Sequence, residues 1–258
     1  MNYFDPKNTA ERYSQGRPYF HSESINRIKN KLQICEKLDT VLDVACGTGL
    51  SSKALLDLAV NVYATDSSIE MLKYASCQDE INYSIAQAES QPFGDNKFDL
   101  ITVCSGVHWF QIDAFLIEAN RLLKKKGYLI LYDNFFISEM EDVKEFSNWF
   151  PDIYLKKFPS PKRNDNFDWS IENLGAKNFI LNDHDEFKNQ VSFTKEELML
   201  YFTTQSNITN SINQGQTSYL DVEDWLSSEL DVFFKSQTKT RIVNFGNWIK
   251  YLQIKDQS

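Results

Sequence analysis

The chain reads as a doubly wound α/β protein built on a mostly parallel sheet. Three observations lead there. Strand-like apolar runs alternate with helix-length segments from about residue 40 to residue 134. The first run, residues 40–44, breaks at Ala45-Cys46-Gly47-Thr48-Gly49 and resumes as a helix-length apolar segment. Strand, glycine turn, helix is the arrangement that lets backbone come close to a bound nucleotide. Beyond residue 135 the alternation stops and mostly helical matter follows, which predicts a late cap.

Taken in order, residues 4–17 are polar and aromatic and end at Arg17-Pro18. Residues 19–38 carry Ile25, Ile28 and Leu32 at helical spacing. The first strand, the glycine turn and a helix over 50–59 come next. A second strand over 61–65 ends in Asp66-Ser67-Ser68, a helix N-cap sequence before residues 69–76. Residues 81–86 make the third strand, Pro92-Phe93-Gly94-Asp95 a turn, and 98–104 the fourth strand. A helix over 111–126 ends in Lys124-Lys125-Lys126 before Gly127, as a helix C-terminus favours. A fifth strand follows over 128–132. Later, the pattern predicts a helix over 139–150, a short helix over 168–174 ended by Gly175 and a kinked strand over 177–193. Thr194 with Glu197 is a capping box, 221–234 a helix and 241–254 a final edge strand.

Composition narrows the function. The net charge of −9 argues against a nucleic-acid partner, which needs clustered Lys and Arg. Four dispersed cysteines form no CxxC pair and no zinc pattern, so no metal is expected and the thiols fit a reducing compartment. The start MNYFDPKNTAERY is too polar for a signal peptide, and no apolar run is long enough to span a membrane. These features predict a cytoplasmic protein with no membrane partner, monomeric or homodimeric.

Ligands of such sheets sit beyond the carboxyl ends of the strands. That directs attention to residues 43–49, Asp66, residues 87–89, residues 104–108, and Asp133 with Asn134. Gly47 and Gly49 tolerate positive φ and close backbone approach. A dinucleotide fingerprint would place Gly or Ala where Ser52 stands. Asp43, four residues before Gly47, suits either a cationic amino group of a ligand or the turn's own amides. Asp66 can accept two ribose hydroxyls or cap the following helix. Gln87 with Ala88 offers a side-chain carbonyl and a backbone N–H to an adenine edge.

Together these motifs resemble the class I S-adenosylmethionine-dependent methyltransferases. VLDVACGTGL (41–50) is similar to the family's first motif and VYATDSSIEML (62–72) to its second. AQAESQPFGDNKFDLITVCSGVHWF (86–110) resembles the third and fourth run together, and EANRLLKKKGYLILYDN (118–134) fits the remainder. Tyr13, Arg17-Pro18, His108-Trp109-Phe110 and TTQSNI (203–208) resemble the small-molecule branch related to trans-aconitate methyltransferase. One departure is Gln87, where many relatives carry Asp.

The resemblance implies a seven-stranded Rossmann-like sheet with an antiparallel edge strand and a late helical cap. It implies one domain over 1–258, with a core at about 20–135, 176–193 and 238–258 and a cap at about 136–175 and 194–237. It further implies S-adenosyl-L-methionine as cofactor, released as S-adenosyl-L-homocysteine, and methyl transfer to a small molecule through an oxygen such as a carboxylate. Asp43, Ala45, Gly47 and Gly49 would hold the methionyl part, with Tyr13 and Arg17 closing over its carboxylate. Asp66 would take the ribose; Ser67, Ile69, Gln87 and Ala88 the adenine; Cys104 and Ser105 would contribute backbone. His108 would face the methyl group as the candidate base, and Trp109, Asn134 and Ser206 would meet the substrate. Two other readings share the glycine turn: a cofactor-binding module without turnover and an NAD-dependent oxidoreductase. Ser52, Asp43 and the 40 residues before the turn weigh against the second. The absence of an N/D-P-P-Y/F motif after the fourth strand weighs against a nucleic-acid methyltransferase.

Overall fold

The computed structural model describes residues 7–75, 80–162, 166–234 and 240–255. Ser76, expected at the end of a helix, and Cys77 lie outside the described residues. In chain order the elements are α1 (Lys7–Gly16), α2 (His21–Lys31), β1 (Leu38–Val44), α3 (Leu50–Leu55), β2 (Ala59–Asp66) and α4 (Ile69–Lys73). Then come β3 (Ile81–Ile85), β4 (Phe98–Cys104), α5 (Ile112–Leu122), β5 (Leu123–Met140), α6 (Glu145–Trp149) and α7 (Leu155–Lys157). The chain continues through α8 (Ile171–Ala176), β6 (Phe179–Phe193), α9 (Lys195–Thr203), α10 (Ser206–Asn213), α11 (Tyr219–Asp231) and β7 (Arg241–Ile254).

The sheet has seven strands in the order β3-β2-β1-β4-β5-β7-β6. The β1–β2, β1–β4, β2–β3 and β4–β5 pairs are parallel. β7 runs against β5: the Glu141 N–H donates to the Ile242 carbonyl, whereas Gln253 meets the Lys126 carbonyl. Register aligns the carboxyl ends, with Val44 opposite Thr65 and Val103, and Cys104 opposite Tyr132. Chain direction reverses its order between β1 and β4, which makes that the switch point. The last four residues of β1 and the middle of β4 are buried in succession because both faces of the sheet are covered there.

Several boundaries differ from the sequence reading, each for a local reason. The edge strand is β6, and β7 lies inside the sheet. β6 alternates exposed and half-buried residues along almost its whole length, whereas β7 buries Val243, Phe245, Ile249, Tyr251 and Leu252. The helix before the fifth strand ends at Leu122, and the three lysines belong to β5. There Lys126 takes a φ of +63° at an irregularity in the β4–β5 register, and Lys124 pairs with Asp99. β5 runs on to Met140, so the expected helix over 139–150 shrinks to α6 and a π turn at Phe150–Tyr154 holding Pro151. α3 stops at Leu55, since residues 56–58 turn directly into β2.

By its contacts the chain divides into two compact units. The sheet unit comprises residues 20–133, 163–187 and 247–258. The aromatic unit comprises residues 1–19, 134–162 and 188–246. Residues 163–175, expected in the cap, group with the sheet unit, where Leu174 packs with Phe179 and Leu252. Residues 1–19 group with the aromatic unit, where Gly16 of α1 meets Leu200 and Thr204 so closely that a Cβ would stand 2.7 Å from Thr204 Cγ2. The aromatic unit's core is rings: Phe146, Trp149, Tyr154, Phe158, Phe202 and Phe245 are all buried. That core accounts for the high aromatic content of the sequence.

Candidate functional site

The site begins at the turn between β1 and α3. Its backbone is unusual in three places: Ala45, Gly47 and Gly49 have φ of +58°, +55° and +82°. Glycine takes this region freely, whereas Ala45 is strained there. Gly49 is required twice over, since a Cβ would stand 2.4 Å from Tyr83 Oη. The next strand across carries a matching kink, with Ser105 at +54° directly after β4. A Cβ on Gly106 would lie 3.0 Å from that of Ala45, so the two kinks pack against each other. Two strained non-glycine residues thus stand side by side at the switch point, where sheets of this kind bind ligands.

Two carboxylates organise this turn. Asp66 Oδ2 accepts the Gly47 N–H at 2.8 Å and Oδ1 the Ser68 N–H at 2.8 Å. The cap of α4 is Ser68, whose Oγ accepts the Met71 N–H, so Asp66 is not the cap. Asp43 is the other, and its partners are side-chain hydroxyls rather than the turn's amides. Its carboxylate is 0% exposed and accepts hydroxyls from Ser51 (2.6 Å), Ser52 (2.7 Å) and Thr102 (3.0 Å). It therefore meets neither solvent nor the turn's amides. It ties β1 to the first turn of α3 and to β4. Burial lifts its pKa to about 6 against the lowering effect of the three hydroxyls. Ser52, which stands where a dinucleotide site would have Gly or Ala, is thus a ligand of Asp43.

Beside Asp66, Ser67 is exposed and Ile69 is 51% exposed, an uncovered apolar side chain at the end of β2. The Asp66 carbonyl accepts the Ala86 N–H, which brings the end of β3 alongside. Gln87 is exposed and its carbonyl accepts from Ser90 N–H and Gln91 Nε2; Ala88 is buried. This edge of the crevice has one open apolar surface, one carboxylate and a backbone turn.

On the other side of the switch point, Val107–Trp109 forms a single 3₁₀ turn with the His108 and Trp109 rings 4.8 Å apart. Cys104 Sγ lies 3.6 Å from Ser105 Oγ, and burial pushes the Cys104 thiol up, away from reactivity. Ser105 Oγ donates to Asp133 Oδ1 at 2.5 Å, and Ser105 N–H to the Tyr132 carbonyl at 2.9 Å. Tyr132 Oη in turn meets Nδ1 of buried His21 at 3.1 Å. Desolvation drives the His21 pKa down to about 3, so the ring stays neutral.

The sheet unit thus brings together Asp43, Ala45, Gly47, Gly49, Asp66, Ser67, Ile69, Gln87, Ala88, Cys104, Ser105, His108 and Trp109 at the carboxyl ends of β1 to β4. Tyr13, Arg17, Asn134 and Ser206 belong to the aromatic unit. There Arg17 stacks over Tyr13 at 4.6 Å and donates to the Thr204 carbonyl at 3.3 Å, while Asn134 and Ser206 are buried. Sequence reasoning missed Tyr83, Thr102 and the His21–Tyr132 pair. Their partners are distant in sequence, so only pairing of the strands reveals them. Among the described residues no group of three metal-ligating side chains converges. None of the described helices is long and apolar enough to cross a membrane.

Comparison with known proteins agrees with this geometry. A family model described as a methyltransferase domain matches residues 42–131. A demethylmenaquinone methyltransferase of Renibacterium salmoninarum is 37% identical over 93 residues, 35% of this chain and 39% of that protein. An uncharacterised protein of Methanocaldococcus jannaschii is 30% identical over 181 residues, 67% of this chain and 66% of that one. The first curated relatives are matched over only 37% to 49% of their lengths. Among solved structures, a candidate type II methyltransferase from Anaeromyxobacter dehalogenans superposes with a TM-score of 0.72 at 15% identity, covering 91% of this chain and 97% of that one. Phosphoethanolamine N-methyltransferase 2 of Haemonchus contortus, solved with S-adenosyl-L-methionine, gives 0.56 at 16% identity, covering 100% and 60%. At such identities the likeness is one of fold. The family match covers the strands that build the crevice, so residues 42–131 are similar to a methyltransferase domain, on a fold shared with solved methyltransferases.

Proposed function

We propose that the protein transfers the methyl group of S-adenosyl-L-methionine to an oxygen of a small molecule, releasing S-adenosyl-L-homocysteine. The observation that carries this reading is the pairing of Asp66 with Gly47. It joins a carboxylate at the end of β2, a position that takes ribose in nucleotide-binding sheets, to a glycine turn that has no pyrophosphate fingerprint. The exposed Ile69 beside it suits the face of an adenine. Ala45, Gly47 and Gly49 would follow the methionyl part, Ser67, Gln87 and Ala88 the adenine edge, and Cys104 and Ser105 the cofactor through backbone. Asp43 supports that turn from beneath. Tyr13 and Arg17 are proposed for the methionyl carboxylate, and Trp109, Asn134 and Ser206 for the acceptor. The subgroup related to trans-aconitate methyltransferase is the branch that these residues fit.

When bound, the cofactor supplies an already activated sulfonium methyl. The chain's own task is then to hold an acceptor oxygen in line with it and exclude competing water. His108, in the turn after β4, would orient that oxygen or act as its base. Differential scanning fluorimetry tests the reading. Ligand at 100 times its Kd adds about 2.7 kcal/mol of stability. S-adenosylmethionine or S-adenosylhomocysteine should raise the Tm; a rise with NAD alone would replace the proposal with the oxidoreductase reading. Binding without transfer to any acid, phenol or alcohol would favour a module without turnover.

A further inference from the structure

We infer that the groove between α2 and the β7–β6 side of the sheet is a second small-molecule site, built for a zwitterion of the α-amino-acid class. This goes beyond the methyltransferase reading and does not rest on it. The groove measures about 510 Å³ and lies wholly within the sheet unit. That volume is in the range of small-ligand sites. β7 and β6 stand beyond β4 and β5 from β1, so the groove is a different place from the crevice at the glycine turn. Its walls are Glu23, Arg27 and Lys31 of α2 with Asp183 and Asp185 of β6, and Tyr251 of β7 lines it between them.

Tyr251 is the residue that points to a ligand. Its side chain is only 1% exposed and lines the groove, yet its hydroxyl has no hydrogen-bond partner among the described residues. Burial pushes its ionisation well up, so it stays a neutral hydroxyl that both donates and accepts. The charged walls fix one another in place. Arg27 Nε donates to Glu23 Oε1 at 2.7 Å and Nη1 to Asp185 Oδ2 at 2.9 Å, and the guanidinium stacks 4.1 Å over Phe187. Lys31 pairs with Asp183. All five side chains are partly exposed, so these pairs add little to stability. What they do is hold unused valences of both signs toward the groove. Arg27 Nη2 and Lys31 Nζ keep donors to spare, and Glu23 Oε2 and Asp185 Oδ1 accept from none of the described residues. A ligand of one sign brings like charge against half of these groups, whereas a zwitterion meets both halves. Its ammonium donates to Glu23 and Asp185, its carboxylate accepts from Arg27 and Lys31, and Tyr251 completes the hydrogen bonding.

The test is calorimetric titration of the full chain with each of the standard amino acids. Saturating S-adenosylhomocysteine is present throughout, so that the crevice is closed to their amino-acid ends. At least one amino acid should bind, and no binding by any of them overturns the inference. The methyl ester and the N-acetyl derivative of that amino acid each keep a single charge and should bind on the order of 10-fold more weakly. Equal binding of either derivative overturns the zwitterion. Tyr251→Phe removes only the hydroxyl and should weaken binding by about 3- to 10-fold. Arg27→Gln, at a partly exposed position on α2, should weaken it on the order of 10-fold. Unchanged affinity in Arg27→Gln places the amino acid elsewhere and overturns the site, whether or not Tyr251→Phe folds. Failure of S-adenosylhomocysteine to bind the wild type sinks the methyltransferase reading instead, and the same titrations without it still decide the groove.

Discussion

The carboxylate of Asp66 and the backbone amide of Gly47 meet at 2.8 Å, joining the end of β2 to the turn after β1. A charge-assisted bond of this kind contributes roughly 1.5–3 kcal/mol. Asp66→Asn removes the charge while keeping the shape. It should weaken S-adenosylhomocysteine binding by roughly 10- to 100-fold in calorimetry and lower unfolding stability by about 1–2 kcal/mol. Unchanged affinity would show that Asp66 serves only the turn.

Gly49→Ala tests the same turn from its backbone. A residue with a Cβ at φ +82° costs roughly 1–2 kcal/mol, and the contact with Tyr83 Oη adds to that. The substitution should destabilise by about 2–3 kcal/mol in urea unfolding. Pairing it with Tyr83→Phe removes the 2.4 Å neighbour but leaves the ring carbon at 3.3 Å. The double variant should therefore recover part of the loss, and an additive result would place the cost in the backbone alone.

Two buried groups in the sheet unit oppose each other in pH. Asp43 has its pKa raised from 3.8 to about 6, so its contribution is present at low pH and lost as pH rises through about 6. That change corresponds to about 3 kcal/mol. His21 has its pKa lowered from 6.5 to about 3, so its contribution is present above 6.5 and lost as pH falls toward 3. Between about pH 4 and 6 the two slopes have opposite sign and offset each other. Relative to wild type, Asp43→Asn should lose stability more steeply on acidification, and His21→Gln less steeply. Urea unfolding at half-unit pH steps measures both, and parallel curves for all three proteins would refute the opposition.

In the aromatic unit, Thr194 Oγ1 accepts the Glu197 N–H at 3.2 Å and Glu197 Oε2 accepts the Thr194 N–H at 2.7 Å. Thr194→Ala should cost about 1 kcal/mol by removing this cap from α9. A change below a few tenths, read by urea unfolding, would mean the helix start is held by packing of Leu198 and Phe202 alone.

Local sequence determined much of this protein. The alternation of apolar runs with helical segments is a property of short windows, so β1 to β4 and the turn at Gly47 and Gly49 were legible without any contact being known. The capping box at Thr194 was legible for the same reason, since its partners are three residues apart. Tertiary structure decided what depends on pairing across the sheet. Whether 241–254 is an edge or an interior strand turns on which strands it lies between, and its own pattern does not say. The lysines at 124–126 fit a helix end as well as a strand start, and the register with β4 chose the strand. Asp43 shows the same limit at the site. Its type and position suited a ligand, yet Ser51, Ser52 and Thr102 close over it, and the last comes from a strand 59 residues away. Positions distant in sequence converge because parallel pairing aligns the strands, and that alignment puts Ser105, just past β4, beside Asp133 within β5.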